Sequence, residues 1–134
     1  MEFLEPYEIL LKKAEGDIRL VELMRKSQDY TLDFEIYMFH LQQAAEKSLK
    51  AILIKMKITY SRTHDLEVLI EKCYSNNIEL NIDEMKINDL TDYAVEGRYD
   101  FLSDIEDYDY YNEVRKLYEI AKNIVKIKKD ETTN

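Results

Sequence analysis

Cysteine, proline and glycine are nearly missing from this 134-residue chain. The one cysteine, Cys73, cannot form an internal disulfide, so a reducing cytosol is the expected compartment. One proline, Pro6, and two glycines, Gly16 and Gly97, leave almost no material for hairpin turns. Two isolated glycines also cannot build a phosphate-cradling loop, and no cofactor is expected. Long apolar runs are lacking as well. None exceeds the four residues of 51–54, far short of the roughly 20 that span a membrane. The N-terminus, Met-Glu-Phe-Leu-Glu-Pro, is acidic and has no apolar core region, so no secretory signal is expected.

Positive charge is in deficit. With 28 acids against 19 bases the formal net charge is −9. Nonspecific affinity for phosphate backbones comes mainly from Lys and Arg releasing counterions, so general nucleic-acid binding over the whole surface is not expected. A local basic patch remains compatible with that balance.

What is present is helical periodicity. Scarce turn chemistry and long 3.6-residue patterns predict an all-α, single-domain bundle of five helices. One domain is expected over 1–129, with a frayed tail over 130–134. The first helix runs from Pro6 to about Lys26, with Ala14, Ile18 and Val21 on its inner face. Gly16 interrupts it, and close approach of another helix is the expected reason.

The second pattern runs from Phe34 to about Lys57 and carries apolar residues on two sides. Phe34, Met38, Leu41, Ala45, Leu49, Ile52 and Met56 form one side. Ile36, Phe39 and Ile54 share the other with Gln43, Glu46 and Lys50. Two apolar sides predict a central helix buried between neighbours.

Thr63 is the expected N-cap of a third helix with Leu66, Leu69, Ile70 and Cys73 inward. Asp83 caps a fourth helix on Ile87, Leu90 and Ala94, closed by Gly97. A fifth is built on Tyr111, Val114, Leu117, Ala121 and Val125 or their neighbours.

Chemistry-bearing residues are few. No paired cysteines and no histidine pair at helical spacing suggest a metal, since His40 and His64 stand 24 residues apart. Cys73 on an apolar stripe reads as an inert thiol. His64 has two readings: a local cap or packing residue, or a ligand-facing group at a helix N-terminus. His40 reads as a satisfied core or boundary histidine. Gln43, Glu46, Lys47 and Lys50 form a polar patch, either a solvated strip with a Glu46–Lys50 pair or the border of a groove or oligomer interface. Arg98, in a predicted loop, suits an anion or a local acid.

The run Gln42-Gln43-Ala44-Ala45-Glu46-Lys47-Ser48-Leu49-Lys50-Ala51 resembles the central helix of the HEPN family. Thr63-His64-Asp65-Leu66, Arg98-Tyr99-Asp100 and the Ala14-x-x-Asp17-Ile18 spacing are similar to further family features, in the same order. The resemblance covers about 14–125 and implies an all-α, up-and-down helical bundle of four to five helices, usually a homodimer. Many such proteins accompany a minimal nucleotidyltransferase in a toxin–antitoxin-like pair, and others are ribonucleases.

The ribonuclease members carry an arginine, then four to six intervening residues, then a histidine. None of Arg19, Arg25, Arg62, Arg98 or Arg115 has a histidine there. In the loop, Asp100 stands where proline commonly follows Arg-Tyr.

The resulting expectation is a non-catalytic, cytoplasmic protein that binds a nucleotide or RNA end and works with a separate nucleotidyltransferase. Arg98, Tyr99, His64, Lys47 and Lys50 are the candidate ligand-binding residues. Phe39, Gln43 and Ile54 are the candidate interface. The alternatives are a ribonuclease toxin with a non-standard site and a purely structural protein-interaction bundle. No membrane association and no metal site are expected.

Overall fold

The computed structural model of the chain describes residues 3–26, 34–93 and 108–132. Among them every regular element is helical: α1 (Pro6–Lys26), α2 (Phe34–Lys55), α3 (Leu66–Ser75), α4 (Glu84–Asp89), a 3₁₀ turn (Leu90–Tyr93) and α5 (Tyr108–Thr132). The all-α expectation therefore holds.

α2 is the centre. It packs against α1, α5, α3 and the 3₁₀ turn, and its buried residues include Tyr37, Met38, Leu41, Ala45, Leu49, Ile52 and Leu53. Contacts give the directions. Asp17 of α1 meets His40 and Lys47, while Arg25 meets Tyr37 and Tyr7 meets Lys55, so α1 and α2 run antiparallel. Glu15 with Tyr118 and Glu22 with Tyr111 make α1 and α5 antiparallel too. Val114, Leu117, Ala121 and Val125 of α5 and Ala14, Ile18 and Val21 of α1 close the core.

The chain ends two helices without glycine. After α2, Lys57 takes the left-handed conformation (φ 59°), its N–H donates to the Ile54 carbonyl, and Ile58 N–H donates to that of Leu53 at 2.9 Å. After α3, Asn77 (φ 64°) repeats this arrangement, with Ile78 N–H reaching the Cys73 carbonyl. Both are Schellman closures, in which a left-handed residue turns the chain so that the last carbonyls find donors. Lys57 and Asn77 fill the place glycine usually takes.

Several expectations need correction. The N-cap of α3 is Asp65, whose carboxylate accepts from Glu67 N–H; Thr63 Oγ1 instead accepts from Asp65 N–H. A carboxylate two residues nearer the helix displaces the hydroxyl from the capping role. The fourth helix caps on Asp83 as expected, but tightens to 3₁₀ at Leu90. Ala94, Gly97 and 98–106 lie outside the described residues.

Among the described residues the second apolar side of α2 is only partly covered. Ile36 is 51% exposed, and Phe39 and Ile54 are only half-buried. No neighbouring helix explains Gly16 either, because a Cβ built there meets nothing within 4 Å. Its residue is exposed and its helix is continuous. Gly16→Ala should therefore stabilise the isolated chain by about 0.5–1 kcal/mol, the usual helix-interior difference. Urea unfolding checks this, and a destabilised variant would contradict the open surroundings of Gly16.

Candidate functional site

Two acids enter the interior next to α2, and each draws its own set of donors. The first is Asp17, buried on the inner face of α1 among Ala14, Ile18 and Val21. His40 and Lys47 stand seven residues apart on α2, two helical turns, so they fall on one side of it. Asp17 inserts between them from the antiparallel helix. Its Oδ1 lies 2.8 Å from His40 Nδ1, and its Oδ2 accepts from Lys47 Nζ at 2.8 Å.

The second acid is Glu46, buried on α2 itself. Gln42 and Lys50, four residues before and after it, share its row on the helix. Gln42 Nε2 donates to Oε1 at 2.9 Å and Lys50 Nζ to Oε2 at 2.9 Å. His64, from the segment before α3, brings Nδ1 to 3.0 and 3.2 Å from the two oxygens. Burial pushes the Glu46 carboxyl up, but bonds from Gln42, Lys50 and His64, with the Lys50 charge, hold it below its ordinary value of 4.5.

Between the rows lies Gln43, whose Nε2 donates to Gln42 Oε1 at 2.7 Å. Phe39 meets the His40 ring edge-on at 5.3 Å. The open face of α2 therefore reads Ile36, Phe39, His40, Gln43, Lys47, Lys50, Ile54, with a buried carboxylate beneath each lysine.

The predicted residues divide accordingly. Lys47, Lys50 and His64 come together with Phe39, Gln43 and Ile54 along this one face, so the ligand and interface candidates interleave. Arg98 and Tyr99 lie outside the described residues. The Glu46–Lys50 pair exists, but as part of a buried cluster and not as a solvated strip. His64 neither caps nor packs only locally: it reaches across to α2. His40 lies at the boundary as expected, with Nδ1 engaged by Asp17.

Asp17 and Gln42 were not among the candidates. The signal for Asp17 was an acid at an inward position of α1, where an apolar residue would otherwise stand. Gln42 stands one helical turn before Glu46, a spacing legible in the sequence, whereas its contact with the His64 carbonyl is created only by the fold.

Other reactive groups add little. Cys73 is buried, and burial pushes its thiol up to about 12, which leaves no thiolate for nucleophilic attack. Among the described residues no three His, Cys, Asp or Glu side chains converge as a metal site would require. No described helix is long and apolar enough to cross a membrane.

A sequence model described as the HEPN domain matches residues 7–131. A crystal structure of an archaeal HEPN homologue is similar at 19% identity, covering 96% of this chain and 98% of its own, with a TM-score of 0.45. No curated protein gives a significant match.

The buried acid generates a pH dependence. Because the folded Glu46 carboxyl is held below 4.5, its stabilising contribution is complete above that value and is lost as pH falls through the lower folded one. Glu46→Gln should cost about 1–3 kcal/mol at neutral pH, from a charged acceptor lost among buried donors. The gap to wild type should narrow below pH 4.5. Urea unfolding at several pH values checks this; a gap independent of pH would assign the loss to packing.

Proposed function

The chain belongs to the HEPN domain family, and on that premise we propose a non-catalytic binding module. It takes the phosphate of a nucleotide or an RNA end and works beside a separately encoded minimal nucleotidyltransferase in a toxin–antitoxin-like pair. Fold alone does not carry function. The supporting observation is that Lys47 and Lys50 on one face of α2, and His64 reaching that helix from the segment before α3, are each held by a buried carboxylate.

An ammonium carries three N–H donors. Lys47 and Lys50 each commit one of them to a carboxylate, which fixes the side chain and leaves two to donate outward. Among the described residues neither His40 Nε2 nor His64 Nε2 has a partner. The face thus offers oriented donors at little net charge, and a full phosphate site needs a further cation. Arg98 supplies it in this reading, with Tyr99 beside it as a stacking surface. A ribonuclease reading lacks the arginine–histidine spacing that its family members carry.

Calorimetric titration of the full chain with nucleotides and short RNAs, with and without a candidate transferase, tests the proposal. Arg98→Ala should weaken binding about tenfold, equivalent to about 1.4 kcal/mol. Absence of binding in every combination would sink the reading.

A second reading rests on Ile36, Phe39 and Ile54, which leave apolar surface on the same face of α2. Two copies of the chain packed there would form the homodimer. Phe39→Glu or Ile54→Glu should then yield monomers in sedimentation velocity with nucleotide affinity retained. An unchanged sedimentation profile would remove those residues from any interface.

A further inference from the structure

α1 has an outward side whose composition contradicts the acidity of the whole chain. Its exposed residues are Pro6, Ile9, Lys12, Lys13, Gly16, Arg19, Leu20, Leu23 and Lys26. None is an acid. The glutamates of α1 recur every seven residues, at Glu8, Glu15 and Glu22, on the flank toward α5. There Glu15 accepts from Tyr118, and Glu22 accepts from Tyr111 and Arg115. Asp17 is buried. Of the four cations, Arg19 pairs with Glu15, while among the described residues Lys12, Lys13 and Lys26 have no ion-pair partner.

Three exposed apolar residues lie on the same side: Ile9 at 41%, Leu20 at 38% and Leu23 at 64% exposure. Gly16 sits between them at the midpoint of α1 with open space above it. A mid-helix glycine is unfavourable in the isolated chain, and among the described residues nothing occupies the notch. Small residues at such positions let a second helix backbone approach closely.

We infer that this side of α1 is a docking surface for an acidic amphipathic helix of a partner protein, crossing α1 at Gly16. Charge complementarity selects the partner: glutamates flanking its seam would meet Lys12, Lys13 and Arg19. Apolar or small residues in the seam would meet Ile9, Leu20 and Leu23. A second copy docking through its own α1 fits badly, because an antiparallel crossing at Gly16 sets Lys13 of one copy against Arg19 of the other. An anionic lipid surface would satisfy the lysines, but a missing side chain at the centre only subtracts buried area there. This surface is distinct from the α2 face and does not depend on nucleotide binding.

The test uses the full chain and a fluorescent synthetic 21-residue helix with alanines along its seam and glutamates flanking it. Anisotropy should show binding that weakens as salt is raised. Gly16→Leu should weaken it about tenfold or more by filling the notch, the loss expected for a central contact. Gly16→Ala should weaken it less while raising the melting temperature of the unliganded chain, a divergence that general damage to the fold cannot produce. Lys12→Glu with Lys13→Glu should abolish the salt dependence.

The inference is overturned if the wild-type chain does not bind, if a lysine-flanked peptide binds equally, or if Gly16→Leu binds unchanged. Self-association abolished by Gly16→Leu would overturn it in favour of a second copy. Binding to phosphatidylserine vesicles undiminished by Gly16→Leu, with no peptide binding, would overturn it in favour of lipid.

Discussion

A carboxylate buried in a helical bundle must be met there by hydrogen-bond donors, and Glu46 and Asp17 impose that condition on the elements around α2. Gln42 and Lys50 can serve Glu46 from its own helix, but His64 must be delivered by the segment before α3. Asp17 depends wholly on α2 for His40 and Lys47. The two clusters thereby fix the register of α1 against α2 and place the start of α3. Apolar contacts among Ala14, Leu41, Leu49 and Leu66 supply the driving force, yet they tolerate sliding better than a directional bond does.

The same condition governs what the face of α2 can do. Lysines on a helix of an acidic protein invite a phosphate-binding reading, but Lys47 and Lys50 each sit on a buried carboxylate. Their charge is largely compensated, and what they offer a ligand is orientation of their remaining donors. That is why the proposed site needs Arg98 as a further cation, and why an apolar interface on Ile36, Phe39 and Ile54 is a credible competitor for the same surface.

Net charge conceals the distribution of charge around α1. Its glutamates are spaced to meet Tyr111, Arg115 and Tyr118 of α5, which leaves its outer side to cations and exposed aliphatic residues. The count of 28 acids against 19 bases excludes a broadly basic surface and says nothing about one face of one helix. Gly16, weak as a helix residue and with no described residue of the chain packed on it, lies on that face.

Periodicity and scarce turn chemistry were sufficient to read the helices, the inward residues of α1, α3 and α5, and the central place of α2. Those properties are local: a 3.6-residue repeat assigns faces whatever packs against them. The ten-residue run from Gln42 to Ala51 was likewise enough to suggest the family. Four things depended on the fold: Asp65 displacing Thr63 as the cap, His64 meeting Glu46, Asp17 meeting Lys47, and the emptiness beside Gly16. Each is a relation between residues up to 30 positions apart, or between a residue and space. Helical spacing states which way a side chain points. Only the packed chain decides whether a partner is there.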